Sequence, residues 1–185
     1  MKQTALHCLS LLSFFVISFG CKTSAHLYRY DAPKRIYSGR LPDSTYASVK
    51  TFLNISPYFT DSILLRYDYN DKTCWSRLDE TDDSHIMGFV ERRQARIRKF
   101  NTGRKGVAYY NYRQPGTDLN KIKAWDPSIR IHTTGLLYRL LFKERCTCGS
   151  SILIMPDRRF VFVRSDSHDE LLDFTRMQIE KYLVK

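Results

Sequence analysis

From Ser44 onward the apolar positions switch between a helical period and short extended runs. Tyr46, Val49, Phe52 and Leu53 share one face of a predicted helix that Ser44 is placed to cap, and the Asn54–Pro57 stretch breaks it. "DSILLRYDYN" (61–70) sets Ile63, Leu64 and Leu65 in a row, the pattern of a strand covered on both faces. After a loop with Cys74 and Trp75, Ile86, Val90, Ile97 and Phe100 mark the inner stripe of a helix over 83–100, capped by Asp83 or Ser84. Arg93 falls on that stripe, so it is expected to be partly buried and paired. "VAYYNYRQPG" (107–116) reads as a second strand of mixed faces, stopped by Pro115-Gly116. Residues 117–133 are less regular, with a short strand at "IRIH", and Thr134 is placed to cap a helix over "GLLYRLLFKE". "SSILIM" and "FVFVR" flank the turn "PDRR" as a hairpin. A closing helix starts at Ser167, which has capping-box spacing to Glu170, and its apolar face is Leu171, Leu172, Ile179, Tyr182 and Leu183. Residues 22–43, with Pro33 and Pro42, hold no sustained period and read as an irregular lead-in.

The chain begins differently. Lys2 is followed by an uncharged stretch, Ala5 to Gly20, whose 16 residues would span roughly 24 Å as a helix, short of the roughly 30 Å hydrocarbon core. This is the pattern of a signal peptide rather than a permanent span. "VISFGCKTS" then resembles a bacterial lipoprotein signal, in which the cysteine, here Cys21, becomes the lipid-modified first residue. Ser18 and Phe19 depart from the usual leucine and small residue of that pattern. The alternative is ordinary cleavage, at Gly20 or after Thr23-Ser24-Ala25. Either way the mature protein is expected to be exported, and the resemblance implies a membrane-anchored lipoprotein of the bacterial envelope, in the periplasm or at the outer membrane. The expected organisation is a signal over 1–20, an anchor tether over 21–43 and one domain over 44–185.

The predicted order is helix, β, α, β, α, β-hairpin, α. A short crossover helix makes the first two strands parallel, and the hairpin adds antiparallel strands at an edge. This α/β order is similar to that of the thioredoxin-like group, which includes membrane-anchored bacterial thiol oxidoreductases. "SSILIMPDRRFVFV" is similar to the family's closing hairpin, and "SILLRYDYNDKTCW" to its first core strand running into the active-site loop. The resemblance covers about residues 44–183 and implies a three-layer sandwich around a mixed sheet. The departures are specific. The family's Cys-x-x-Cys dithiol has no counterpart in "NDKTCW", where only Cys74 sits near the second thiol position. The family's cis-proline site is held by Gly149 and Ser150. The usual dithiol exchange is therefore not expected.

Five cysteines are present; Cys8 leaves with the signal and Cys21 is the lipidation candidate, which leaves Cys74, Cys146 and Cys148. Three is odd, so at most one internal disulfide forms. The resemblance would bring the loop with Cys74 opposite the loop with Cys146 and Cys148, within disulfide reach. A structural staple with one spare thiol, three inert thiols, an exchange site using Cys74 with Cys146 or Cys148, and a zinc site all remain open. No cofactor or metal is expected.

Charge adds one more reading. The formal net charge of +11 becomes +10 once Lys2 is removed, which suits anionic envelope material at short range; nucleic acid is not expected for an exported protein. In "ERRQARIRKFNTGRK", Arg92, Arg96, Lys99, Arg104 and Lys105 form a candidate patch for an anionic partner, or simply a solvated helix face. "SDSHDE" (165–170) is better explained by a helix cap than by catalysis. Three functions follow as expectations: a non-catalytic binding or structural protein of the envelope, an atypical thiol–disulfide oxidoreductase, or a basic module for anionic envelope components. The partners implied are the membrane, through the anchor, and an envelope protein.

Overall fold

The computed structural model describes residues 35–56, 58–70, 81–116, 126–145, 148–164 and 168–183. In chain order the elements are strand β1 (Ile36–Arg40), helix α1 (Asp43–Phe52), β2 (Ser62–Asp68), α2 (Asp83–Gly103), β3 (Val107–Arg113), β4 (Arg130–Ile131), α3 (Leu136–Leu140), β5 (Gly149–Ile154), β6 (Arg159–Arg164), a 3-10 helix (His168–Leu172) and α4 (Arg176–Leu183). The six strands form one mixed sheet in the order β1-β6-β5-β2-β3-β4. β2 runs parallel to β3 and antiparallel to β5, and β5 and β6 form the hairpin. The protein is therefore α/β, as its alternating periods predict.

Burial explains the register. All seven residues of β2 are buried, so its apolar run serves two cores at once. On one face Ile63, Leu65 and Tyr67 meet Val49 of α1, Leu53 just after it, Leu137 of α3, and Phe142, Ile152 and Phe162. On the other face Leu64, Leu153, Val161 and Val163 meet Ile97 and Phe100 of α2, Leu171 and Leu172 of the 3-10 helix, and Ile179 of α4. A one-residue slip of β2 would exchange the two sets. The first face is largely aromatic: Tyr67 stacks on Phe142 at 4.8 Å between ring centroids, and Tyr37 on Phe162 at 5.0 Å. Truncating Leu65 or Ile152 to alanine would cost about 2–5 kcal/mol.

Several boundaries differ from the sequence reading. β1 lies inside the stretch expected to be irregular, and it pairs antiparallel with β6 from Ile36↔Val163 to Arg40↔Arg159. The hairpin is thus not the edge of the sheet. α1 begins one residue before Ser44, which does not cap it: Pro42 holds the cap position without a side-chain bond. α2 is capped by Asp82, whose Oδ1 accepts from the His85 N–H at 2.9 Å, rather than by Asp83 or Ser84. The closing helix is split. The chain breaks after Leu172 so that Phe174 enters the core, stacking on Tyr182 at 5.7 Å. Thr175 and Gln178 then start α4 as a reciprocal pair: Gln178 Oε1 accepts from the Thr175 N–H at 2.7 Å, and Thr175 Oγ1 from the Gln178 N–H at 3.2 Å. Ser167 lies outside the described residues.

Candidate functional site at the carboxyl end of the parallel strands

Beyond Leu64 the α2-facing side of the sheet turns from aliphatic to ionic. Arg66 and Asp68 follow on β2, with Asn111 and Arg113 beside them on β3 in register. Alternate strand positions share a face, so this succession puts four polar side chains under α2. Arg93 reaches down from α2, Asp126 comes from the segment before β4, and Asp169 from the 3-10 helix. Arg66, Asp68, Arg93, Asn111, Arg113 and Asp126 are all buried.

The charges are balanced and interlocked. Arg66 Nη2 lies 3.0 Å from Asp68, and its Nε 3.1 Å from Asp169, the latter an ion pair without hydrogen-bond alignment. Arg93 stands between Asp68 at 3.6 Å and Asp126 at 3.8 Å. None of its three nitrogens makes a hydrogen bond. Asp126 Oδ1 accepts from Gln94 Nε2 at 2.7 Å and from the Ser128 N–H at 3.1 Å. Arg113 Nη2 donates to Asn70 Oδ1 at 3.2 Å and to the Gly116 carbonyl at 3.0 Å. Gly116 is needed there for closeness: a Cβ would fall 2.1 Å from the Asn70 amide. Burial alone would lower the Arg66 guanidinium, but Asp169 and Asp68 outweigh it and hold it above its ordinary range. Burial also pushes the Tyr109 hydroxyl above its usual range, against the pull of Arg66. Arg66 therefore stays charged, and the Tyr109 hydroxyl stays protonated, near neutrality.

Cys148 stands at the same end of the sheet, immediately before β5. It is disulfide-bonded. Its carbonyl accepts from the Tyr69 N–H at 3.0 Å, which ties the lead-in of β5 to the residue after β2. Tyr69 is itself pinned, its hydroxyl donating to the Phe142 carbonyl at 3.1 Å. Of the other predicted cysteines, Cys74, Cys146 and the lipidation candidate Cys21 lie outside the described residues, and so does the disulfide partner of Cys148.

The basic stretch of α2 is divided by the fold. Arg92 and Lys99 are exposed, and Arg96 pairs with Asp173. Arg104 lies half-buried over the Phe100 ring at 5.0 Å, beside exposed Lys105, at the other end of the sheet. Arg93 is buried and paired, as its place on the apolar stripe predicts. In "SDSHDE" the two described acids serve structure: Asp169 pairs with Arg66, and Glu170 accepts from Arg35.

The ionic residues of β2 were not singled out from sequence. The signal was present: Arg66 and Asp68 interrupt an apolar strand two apart, hence on one face, and the inward helix position opposite carries Arg93. Comparison with family models, curated proteins and solved structures finds no match for this chain. Among the described residues no helix is long and apolar enough to cross a membrane, and no three His, Cys, Asp or Glu side chains converge as metal ligands.

Proposed function

We propose that this chain is an exported, lipid-anchored protein of the bacterial envelope whose single domain is thioredoxin-like and serves a non-catalytic binding and structural role. The fold part of this reading is supported by the parallel β2–α2–β3 unit, the antiparallel β5–β6 hairpin and a last helix packed on the sheet. The observation that carries the function is the state of Cys148. It is disulfide-bonded, and its backbone bond to Tyr69 fixes it at the end of β2. A thiol made nucleophilic needs an exposed, electropositive setting that lowers its pKa. A sulfur held in a disulfide presents no thiolate until that bond is reduced.

The disulfide then acts as a staple on the sheet end. Native disulfides of this kind stabilise by about 2–4 kcal/mol. The test is an insulin-reduction assay on the wild type and Cys148→Ser, with Cys74→Ser beside them. The expected result is no reductase activity in any of the three, with Cys148→Ser lowering unfolding free energy. Turnover in the wild type that needs Cys74 or Cys148 would instead make the protein an atypical thiol–disulfide oxidoreductase.

A further inference from the structure

At the opposite end of the sheet, about 20 Å away along β2, the fold leaves a cleft of about 580 Å³. This is within the range of small-molecule sites. Its floor is apolar: Leu153 and Met155 from the end of β5, Val107 at the start of β3, and Ile179 and Leu183 of α4. Its rim carries Arg104, Lys105, Arg159 and Arg176 against one acid, Glu180.

The cations differ in what holds them. Arg176 pairs with Glu180 at 2.8 Å, and Arg159 with Asp157 at 2.6 Å. Arg104 and Lys105 form no ion pair among the described residues; the acid nearest in effect to Arg104 is Asp173, which is bound by Arg96. Arg104 Nη1 is buried and has no hydrogen-bond partner. A buried guanidinium nitrogen left unbonded is costly, and an oxyanion is the group that satisfies it best. Next to it the floor can cover several methylenes, each contributing roughly 0.8 kcal/mol when buried.

We infer that this cleft binds an anionic amphiphile, a phosphate or carboxylate headgroup held at Arg104 and Lys105 with its apolar chain lying over Met155, Ile179 and Leu183. The inference deepens the binding role proposed above but is independent of the cysteines, so a failure here leaves the disulfide reading standing, and the reverse.

Met155 makes the test direct. Its sulfur accepts from Ser62 Oγ at 3.6 Å on the cleft floor, whereas Met87 lies exposed near the start of α2. With ¹³C-methyl methionine labelling, soluble dihexanoylphosphatidylglycerol should shift the Met155 methyl saturably and leave Met87 in place. Dihexanoylphosphatidylcholine should bind at least tenfold more weakly, and inorganic phosphate alone should leave Met155 unmoved. The Arg104→Gln/Lys105→Gln protein should lose at least tenfold in affinity, as should Arg176→Glu, a change at a side chain that is 92% exposed, with the fold of each variant checked by its methyl spectrum. No shift at Met155 overturns the proposal. So does equal binding of the zwitterionic lipid, or phosphate binding as tightly as the lipid, which would mark a free-oxyanion site. Unchanged affinity in both variants would overturn the assignment of the rim.

Discussion

The α2-facing side of the sheet ends in charge twice, and the two ends treat it oppositely. At the Asp68 end, Arg66 and Arg93 are 3% exposed and each stands between two carboxylates. At the Ser62 end, Arg104 and Lys105 line a cleft without forming an ion pair among the described residues, with Asp173 acting on Arg104 only from a distance. The difference teaches what burial demands. A guanidinium removed from water must be matched by acids, because the desolvation cost of an isolated charge exceeds what packing returns. Arg104 at the cleft rim is only partly withdrawn from water, so it tolerates one unbonded nitrogen without an ion-pair partner. Similar residues thus act as internal structure at one end and as a surface for recognition at the other.

Breaking the closed end should have the largest effect. Arg93→Met leaves Asp68 and Asp126 facing each other with one fewer counter-charge, and chemical denaturation should show a loss of about 3–5 kcal/mol. A loss below 1 kcal/mol would mean that the cluster is wet and that the contrast with the open end is one of degree.

The opposite face supplies an intermediate case, a buried base that no acid pairs with among the described residues. His132 is packed between Phe52, Tyr67 and Tyr112, and its Nε2 meets Thr134 Oγ1 at 3.0 Å. Burial, aided by Arg139, lowers its pKa below the ordinary 6.5. In the window between 6.5 and that lower folded value the unfolded chain takes up a proton that the folded protein refuses. Stability should therefore fall as pH drops through this window and be unaffected by His132 above it. In His132→Gln that part of the pH dependence should vanish; a persisting slope would assign it to other groups.

The smallest effect belongs to the open end. Arg104→Gln should change unfolding free energy by no more than about 0.5 kcal/mol. A cost of 2 kcal/mol or more would show that the rim, too, is structural.

How much of this could be read from sequence follows from how each signal is made. The run Ile63–Leu65 and the stripe Ile86, Val90, Ile97, Phe100 located β2 and α2, because both are buried deeply enough for their periods to be nearly complete. β1 left no such trace. "IYSGR" is half-exposed, contains Gly39, and is a strand only because β6 offers it an edge. The break of the closing helix was masked by the apolar spacing on either side, although Thr175 and Gln178 carried a start signal. The ionic end was visible in parts, as an arginine on an apolar stripe and two charges inside a strand. The acids that complete it, Asp126 and Asp169, come from segments about 40 residues apart in sequence with no period linking them to β2. The cleft was half-anticipated through Arg104 and Lys105. Its floor comes from β3, β5 and α4, and only the folded chain brings these under the same helix end.

The position of β1 has a consequence for handling the protein. It covers β6, whose "FVFV" core is apolar on both sides and whose backbone would otherwise end the sheet unpaired. It also fastens the closing helix, through Ser38 donating to the Tyr182 carbonyl, and the 3-10 helix, through Arg35 on Glu170. A fragment begun at Ser44, where helical periodicity first becomes regular, would expose a long greasy edge of the kind that recruits further chains into cross-β aggregates. A fragment begun before Arg35 keeps that edge capped. The five residues that look least like structure are therefore the ones that close this edge of the sheet.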